Sequence, residues 1–132
     1  MGLHVGIADI SPEAAAFPYA DEKFVCSIKD SEGILDIAKK FRPDGILTGA
    51  CDTSVVTAAH VCKQLWLPGI SEETALLATN KLEMLRAFER DDVAHPQYQW
   101  IRRNEIDNFE MHVPYPAISK RRVSSPMACS VF

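Results

Sequence analysis

The chain has 132 residues, enough for a domain with a real core, and 47% apolar and 24% charged residues, as in an ordinary globular protein. A net charge of −4 argues against nucleic acid as a partner, because counterion release needs clustered Lys and Arg. No stretch approaches the roughly 18 consecutive apolar residues of a membrane span. The N-terminus lacks the basic flank and apolar core of a signal peptide, so a cytoplasmic location is expected.

Taken in order, residues Leu3 to Ala8 read as a strand ending at Asp9. Ser11 and Pro12 then suit the N-cap and first position of a short helical turn. A second strand is expected over Lys23 to Ile28, and a helix capped by Ser31, with Ile34, Leu35, Ile37, Ala38 and Phe41 on one face. Pro43 and Asp44-Gly45 end it, and Gly45 to Thr48 reads as a short buried strand. The next helix, from about Ser54 to Leu65, places Val55, Ala58, Ala59, Cys62 and Leu65 on one face. Ser71 can cap a brief helix running through Leu77, with Glu72 and Glu73 near its positive end. Asn80 caps a further helix, with Glu83 where a capping-box acid belongs. Beyond Asp91-Asp92 the helical pattern stops, and Tyr98 to Arg102 and Pro116 to Lys120 read as short strands. The alternation of strands and helices over the first 70 residues implies an α/β fold with a parallel sheet.

The four cysteines, Cys26, Cys51, Cys62 and Cys129, form no CxxC pair and read as reduced, small buried hydrophobes. Cys51, His60 and Cys62 lack a fourth ligand at suitable spacing, so no metal site is expected. His4, His60, His95 and His112 are dispersed, without a triad or nucleophile elbow, and no catalytic residue is assigned. Neither GxGxxG nor GxxxxGK[ST] is present.

Four residues remain as candidates. In an open α/β sheet, ligands sit beyond the carboxyl ends of the strands, where Asp9 and Asp52 are expected. Each can equally cap the turn or helix that follows it. Lys81 opens a helix, an unfavourable place for a cation unless an anion shares it. Lys120 closes an apolar run, where a lysine can also snorkel without any ligand.

The ordered segments ADISPEAAAFPYADEKFVCSIKD, RPDGILTGACD, LPGISEETALLATNKLEMLRAF and HPQY…PYPAISK resemble the ATP-grasp superfamily over most of residues 3–120. The resemblance is strongest to stand-alone relatives of the carbamoyl-phosphate synthetase large subunit, then to biotin carboxylase and D-alanine–D-alanine ligase. It implies a Rossmann-like pre-ATP-grasp domain over residues 1–95 and the start of an ATP-grasp domain over 96–132, with an atypical tail from 121 to 132. Complete members use ATP and Mg2+ to activate a small carboxylate as an acyl phosphate, which an amine or similar nucleophile attacks. Lys81 matches the lysine of the family's T-[DN]-K helix start, and Lys120 that of its P-[AV]-[IV]-x-K strand. Both would meet ATP phosphates. Asp9 and Asp52 match, more loosely, acids on the acceptor-substrate side.

Two departures accompany the resemblance. Family members usually begin with a further strand, a Gly-rich turn and a helix, and carry a Gly-rich loop after the second lysine. Here RRVSSPMACSVF follows, with no glycine. The expectation is therefore a truncated or frame-shifted ligase, inactive alone and not expected to hold ATP and Mg2+ firmly. A separately encoded ATP-grasp core would be its partner. The alternative is a non-catalytic α/β module that binds a partner or forms homo-oligomers through exposed sheet edges.

Overall fold

The structure is a computed structural model that describes residues 2–49, 51–114, 117–119 and 130–131. It divides into two compact units, Met1–Leu76 and Leu77–Phe132, and each is described by itself.

The first unit is built on a parallel pair, β1 (Gly6–Asp9) and β2 (Glu22–Val25), in register from Gly6 opposite Glu22 to Asp9 opposite Val25. The link between them is made of turns and one 3-10 segment, Phe17–Tyr19, with Phe17 buried, in place of the expected helical turn. The first turn is held by side chains. The Asp9 carboxylate accepts from the Ser11 amide at 2.8 Å, and the Ser11 hydroxyl accepts from the Glu13 amide at 3.2 Å. Such local bonds give Asp and Ser an alternative to a helix.

Helix α1 (Ser31–Phe41) is capped by Asp30, one residue before the expected Ser31, with its carboxylate accepting from the Gly33 amide at 3.0 Å. Ser31 faces inward instead, its hydroxyl 3.3 Å from that of Thr57 in helix α2 (Asp52–Leu65). Thr57 in turn donates to the Ile28 carbonyl at 2.7 Å, tying α2 to the loop before α1. Both helices end without glycine. Arg42 and Trp66 take the left-handed conformation, at φ 55° and 57°, and their amides close the last turns.

The core lies between these helices. Leu35 and Ala38 of α1 pack with Val61 of α2, which is 0% exposed, and Ile34, Ile46 and Leu65 close around them. The sheet joins this layer through aromatic rings. Phe24 of β2 meets Phe41 of α1 edge-on at 5.5 Å, and His4 stacks on Phe41 at 5.6 Å. Gly6 is where those rings come closest, since a Cβ there would lie 2.9 Å from atoms of both Phe24 and Phe41.

Helix α3 (Glu72–Thr79) starts at Ser71, whose hydroxyl accepts from the Thr74 amide at 3.0 Å, and runs two residues beyond the expected end. Helix α4 (Lys81–Arg90) in the second unit has the expected cap, with the Asn80 side chain accepting from the Leu82 and Glu83 amides at 3.2 and 3.4 Å. The second unit then changes character. Its described residues include a 3-10 segment, Arg103–Asn108, and an antiparallel pair, β3 (Ile118–Ser119) with β4 (Ser130–Val131).

Three expected strands differ in outcome. Gly45 to Thr48 forms no ladder among the described residues. Ile46 joins the core as an isolated apolar residue while Leu47 is 98% exposed. Tyr98 to Arg102 forms no strand either. The Gln99 amide instead binds the chain at 110–112, donating to the Glu110 carbonyl and accepting from the His112 amide, both at 2.8 Å. Of Pro116 to Lys120, only Ile118 and Ser119 form a described strand, and Lys120 lies outside the described residues. Alternating apolar residues make a strand only when a neighbouring backbone supplies the hydrogen bonds. No described helix is long and apolar enough to cross a membrane.

Gly6→Ala should destabilise the chain by about 1–2 kcal/mol in urea unfolding, because two rings must move to admit one methyl group. The loss should shrink in the Phe41→Leu background, which opens space at that contact.

Candidate functional site

Asp9 ends β1, and its carboxylate is engaged in the turn with Ser11. Asp52 is the first residue of α2 and is exposed, with Cys51 as the backbone cap. Both acids belong to the first unit. Lys81 belongs to the second unit, where it is the first residue of α4 and half-buried. The two amides that follow Lys81 donate to Asn80, so the helix start already has an internal acceptor. Lys120 falls outside the described residues.

The structure concentrates charge elsewhere, at the junction of α2 and α3. His60 Nδ1 lies 2.9 Å from one Glu72 oxygen, and Lys63 pairs with the other. His60 Nε2 lies 3.4 Å from Glu32 of α1. Lys63 first and His60 second hold the Glu72 carboxyl below the usual carboxylate range. Beside this cluster is an open hollow of about 460 Å3, lined by Cys62, Leu67, Gly69 and Ile70 with Lys63 and Glu72 at its charged side. Sequence reasoning missed this cluster. The available signal was the placement of His60 and Lys63 three residues apart on α2, one turn of a helix. Their partner Glu72 read only as a helix-end charge.

The cysteines also separate by environment. Burial pushes the Cys62 thiol up, and burial with nearby Asp30 does the same for Cys26. Cys51 is lowered, chiefly because the amides of Ser54 and then Thr53 at the start of α2 favour its thiolate. Cys26 and Cys51 are half-exposed, which corrects the expectation that they are buried; Cys62 is buried as expected. Among the described residues, no group of three His, Cys, Asp or Glu side chains could hold a metal ion.

The described residues form a mixed α/β arrangement with a two-stranded parallel sheet and four α-helices. The chain has the fold of the N-terminal, pre-ATP-grasp portion of an ATP-grasp enzyme. A solved structure similar to it is that of phosphoribosylglycinamide synthetase from Anaerococcus prevotii. That protein is 25% identical, with a TM-score of 0.61, and the match covers 87% of this chain and 28% of that one. The chain thus spans little more than a quarter of that enzyme's length. No protein-family model matches the sequence, and no curated protein does.

Two outcomes are expected from these environments. Iodoacetamide should label Cys51 before Cys26 and Cys62, with a labelling profile that starts at lower pH than that of an ordinary thiol. For Glu72 the folded carboxyl titrates below the unfolded one, so its stabilisation is present above the unfolded range and lost as pH falls through the folded value. Acid unfolding below about pH 4 should therefore be shallower in Glu72→Gln than in the parent chain.

Proposed function

We propose that these residues form the front portion of an ATP-dependent carbon–nitrogen ligase of the ATP-grasp type, in which a carboxylate activated as an acyl phosphate is attacked by an amine or similar nucleophile. The observation that carries the reading is the fold match over 87% of the chain to an ATP-grasp enzyme. The ordered segments from Ala8 to Lys120 point the same way. In this reading the pre-ATP-grasp domain runs to about residue 95, past the boundary between the compact units at Leu76 and Leu77. A cytoplasmic protein related to the carbamoyl-phosphate synthetase large subunit is the finer form of the proposal.

Lys81 and Lys120 would present cations to the phosphates of ATP, and Asp9 and Asp52 would face the acceptor substrate. Phosphoryl transfer depends on many donors and metal ions placed around the transferred group. The described acids do not gather into a set that fits Mg2+, so no step is assigned to the metal on these residues. The 132 residues alone are proposed not to catalyse the reaction, because the donors and metal ligands that phosphoryl transfer needs are not gathered among the described residues.

A second reading, an α/β module that associates with itself or a partner, is favoured by bare apolar side chains in the first unit. Leu47 is 98%, Trp66 95% and Leu3 89% exposed. Exposed apolar surface and unpaired strand edges favour association. A clean monomer by light scattering would count against it.

The ligase reading is tested by the coding sequence on both sides of this segment. A Gly-rich loop and an acid-rich ATP-grasp core are expected there, in this frame or an adjacent one, and unrelated sequence would overturn the reading. Incubating the 132-residue chain with ATP, Mg2+ and amino acids should release no phosphate above background.

A further inference from the structure

The chain between α1 and α2 is held at two points. At the end of α1 the Arg42 amide donates to the Ala38 carbonyl at 2.8 Å, and further on Ile46 packs against Leu35, Ala38 and Val61. Between these anchors Asp44 and Gly45 are both exposed. Among the described residues no hydrogen bond or ion pair engages the Asp44 carboxylate or the Gly45 amide. A Cβ at Gly45 would meet nothing within 4 Å, so the approach to its amide is open. Other aspartates are placed differently. The Asp30 carboxylate, before Ser31, accepts from the Gly33 amide at 3.0 Å, and that of Asp9 accepts from the Ser11 amide at 2.8 Å. Asp52 lies within α2 and precedes the β-branched Thr53.

We propose that Asp44-Gly45 is a site of spontaneous aspartate isomerisation, and that the product loosens Ile46 from the core of the first unit. The Gly45 amide nitrogen attacks the Asp44 carboxyl carbon, Cγ, so that a C–N bond forms as a carboxyl C–O bond breaks. The oxygen leaves as water, taking the amide proton and the proton of the acid. A second water opens the succinimide that results. Its attack at Cγ restores aspartate, whereas attack at the main-chain carbonyl carbon leaves the backbone running through Cγ, as isoaspartate. Mass is unchanged over the two steps, and no oxidant or reductant enters. Ring closure needs a backbone free to turn and a following residue with no Cβ in the way, and Asp44-Gly45 meets both conditions. The product inserts one methylene, about 1.5 Å of backbone, between Arg42 and Ile46. With Arg42 closing α1, the added length displaces Ile46 from its seat against the cluster.

The test is to age the folded 132-residue chain in warm neutral buffer and digest it with an endoprotease that cuts before aspartate but not before isoaspartate. A peptide uncut at residue 44, unchanged in mass and labelled by an isoaspartyl methyltransferase, should accumulate. Its rate should lie within about three-fold of that in a free peptide of residues 41–48. Gly45→Ala should fold, because the position is open and its backbone is not left-handed, and should slow the reaction several-fold. The isomerised fraction, once separated, should unfold at a lower urea midpoint than the parent chain. Isomerisation of the free peptide but not of the folded chain would overturn the site. So would an equal rate in Gly45→Ala, or faster accumulation at Asp30. An unshifted midpoint would overturn the coupling to Ile46.

Discussion

The packing of α1 against α2 is the constraint on which the first unit depends. Val61 is the largest described side chain that is fully buried, and it sits against Leu35 and Ala38. Burying a side chain of this kind contributes about 1.5–3 kcal/mol. Few other described residues are so enclosed, so the geometry of this contact fixes where the remaining elements can lie. The polar link from Thr57 to the Ile28 carbonyl then sets the register of α2 along the layer. An unpaired carbonyl there would carry a desolvation cost of about 1–3 kcal/mol.

The connections around that contact use little glycine. Arg42 and Trp66 turn the chain in left-handed backbone, which disfavours residues with a Cβ. The amide bonds that close the two helices offset that strain. Glycine is instead used at Gly6, where the requirement is space beneath Phe24 and Phe41 rather than a special torsion. The same unit leaves Leu47 and Trp66 in solvent, so its apolar surface is only partly used by its own core.

Charge follows a different logic from the core. Asp9, Asp52 and Lys81 occupy a strand end and two helix starts, where the Ser11 amide engages Asp9 and the Asn80 side chain caps the helix that Lys81 opens. The densest described ionic grouping, around His60, draws on three helices and lies beside the α2–α3 hollow.

The sequence by itself determined the α/β class, the four longer helices to within a few residues and the cap at Asn80. Each of these rests on spacing or on bonds between near neighbours. The T-[DN]-K start at Lys81 and the ordered segments around it also made the ATP-grasp relationship legible. Only the tertiary structure decided which apolar runs became strands. Gly45 to Thr48 and Tyr98 to Arg102 have strand-like composition, yet no described backbone pairs with them. It alone revealed the His60 cluster, because Glu32, His60 and Glu72 are remote in the chain and meet only when α1 and α3 pack around α2. It also separated Cys51 from Cys62, two thiols of the same helix region, through the amides at a helix start and through burial. Local bonds are encoded by neighbours in sequence, whereas ladders, ionic bridges and burial require distant segments to meet.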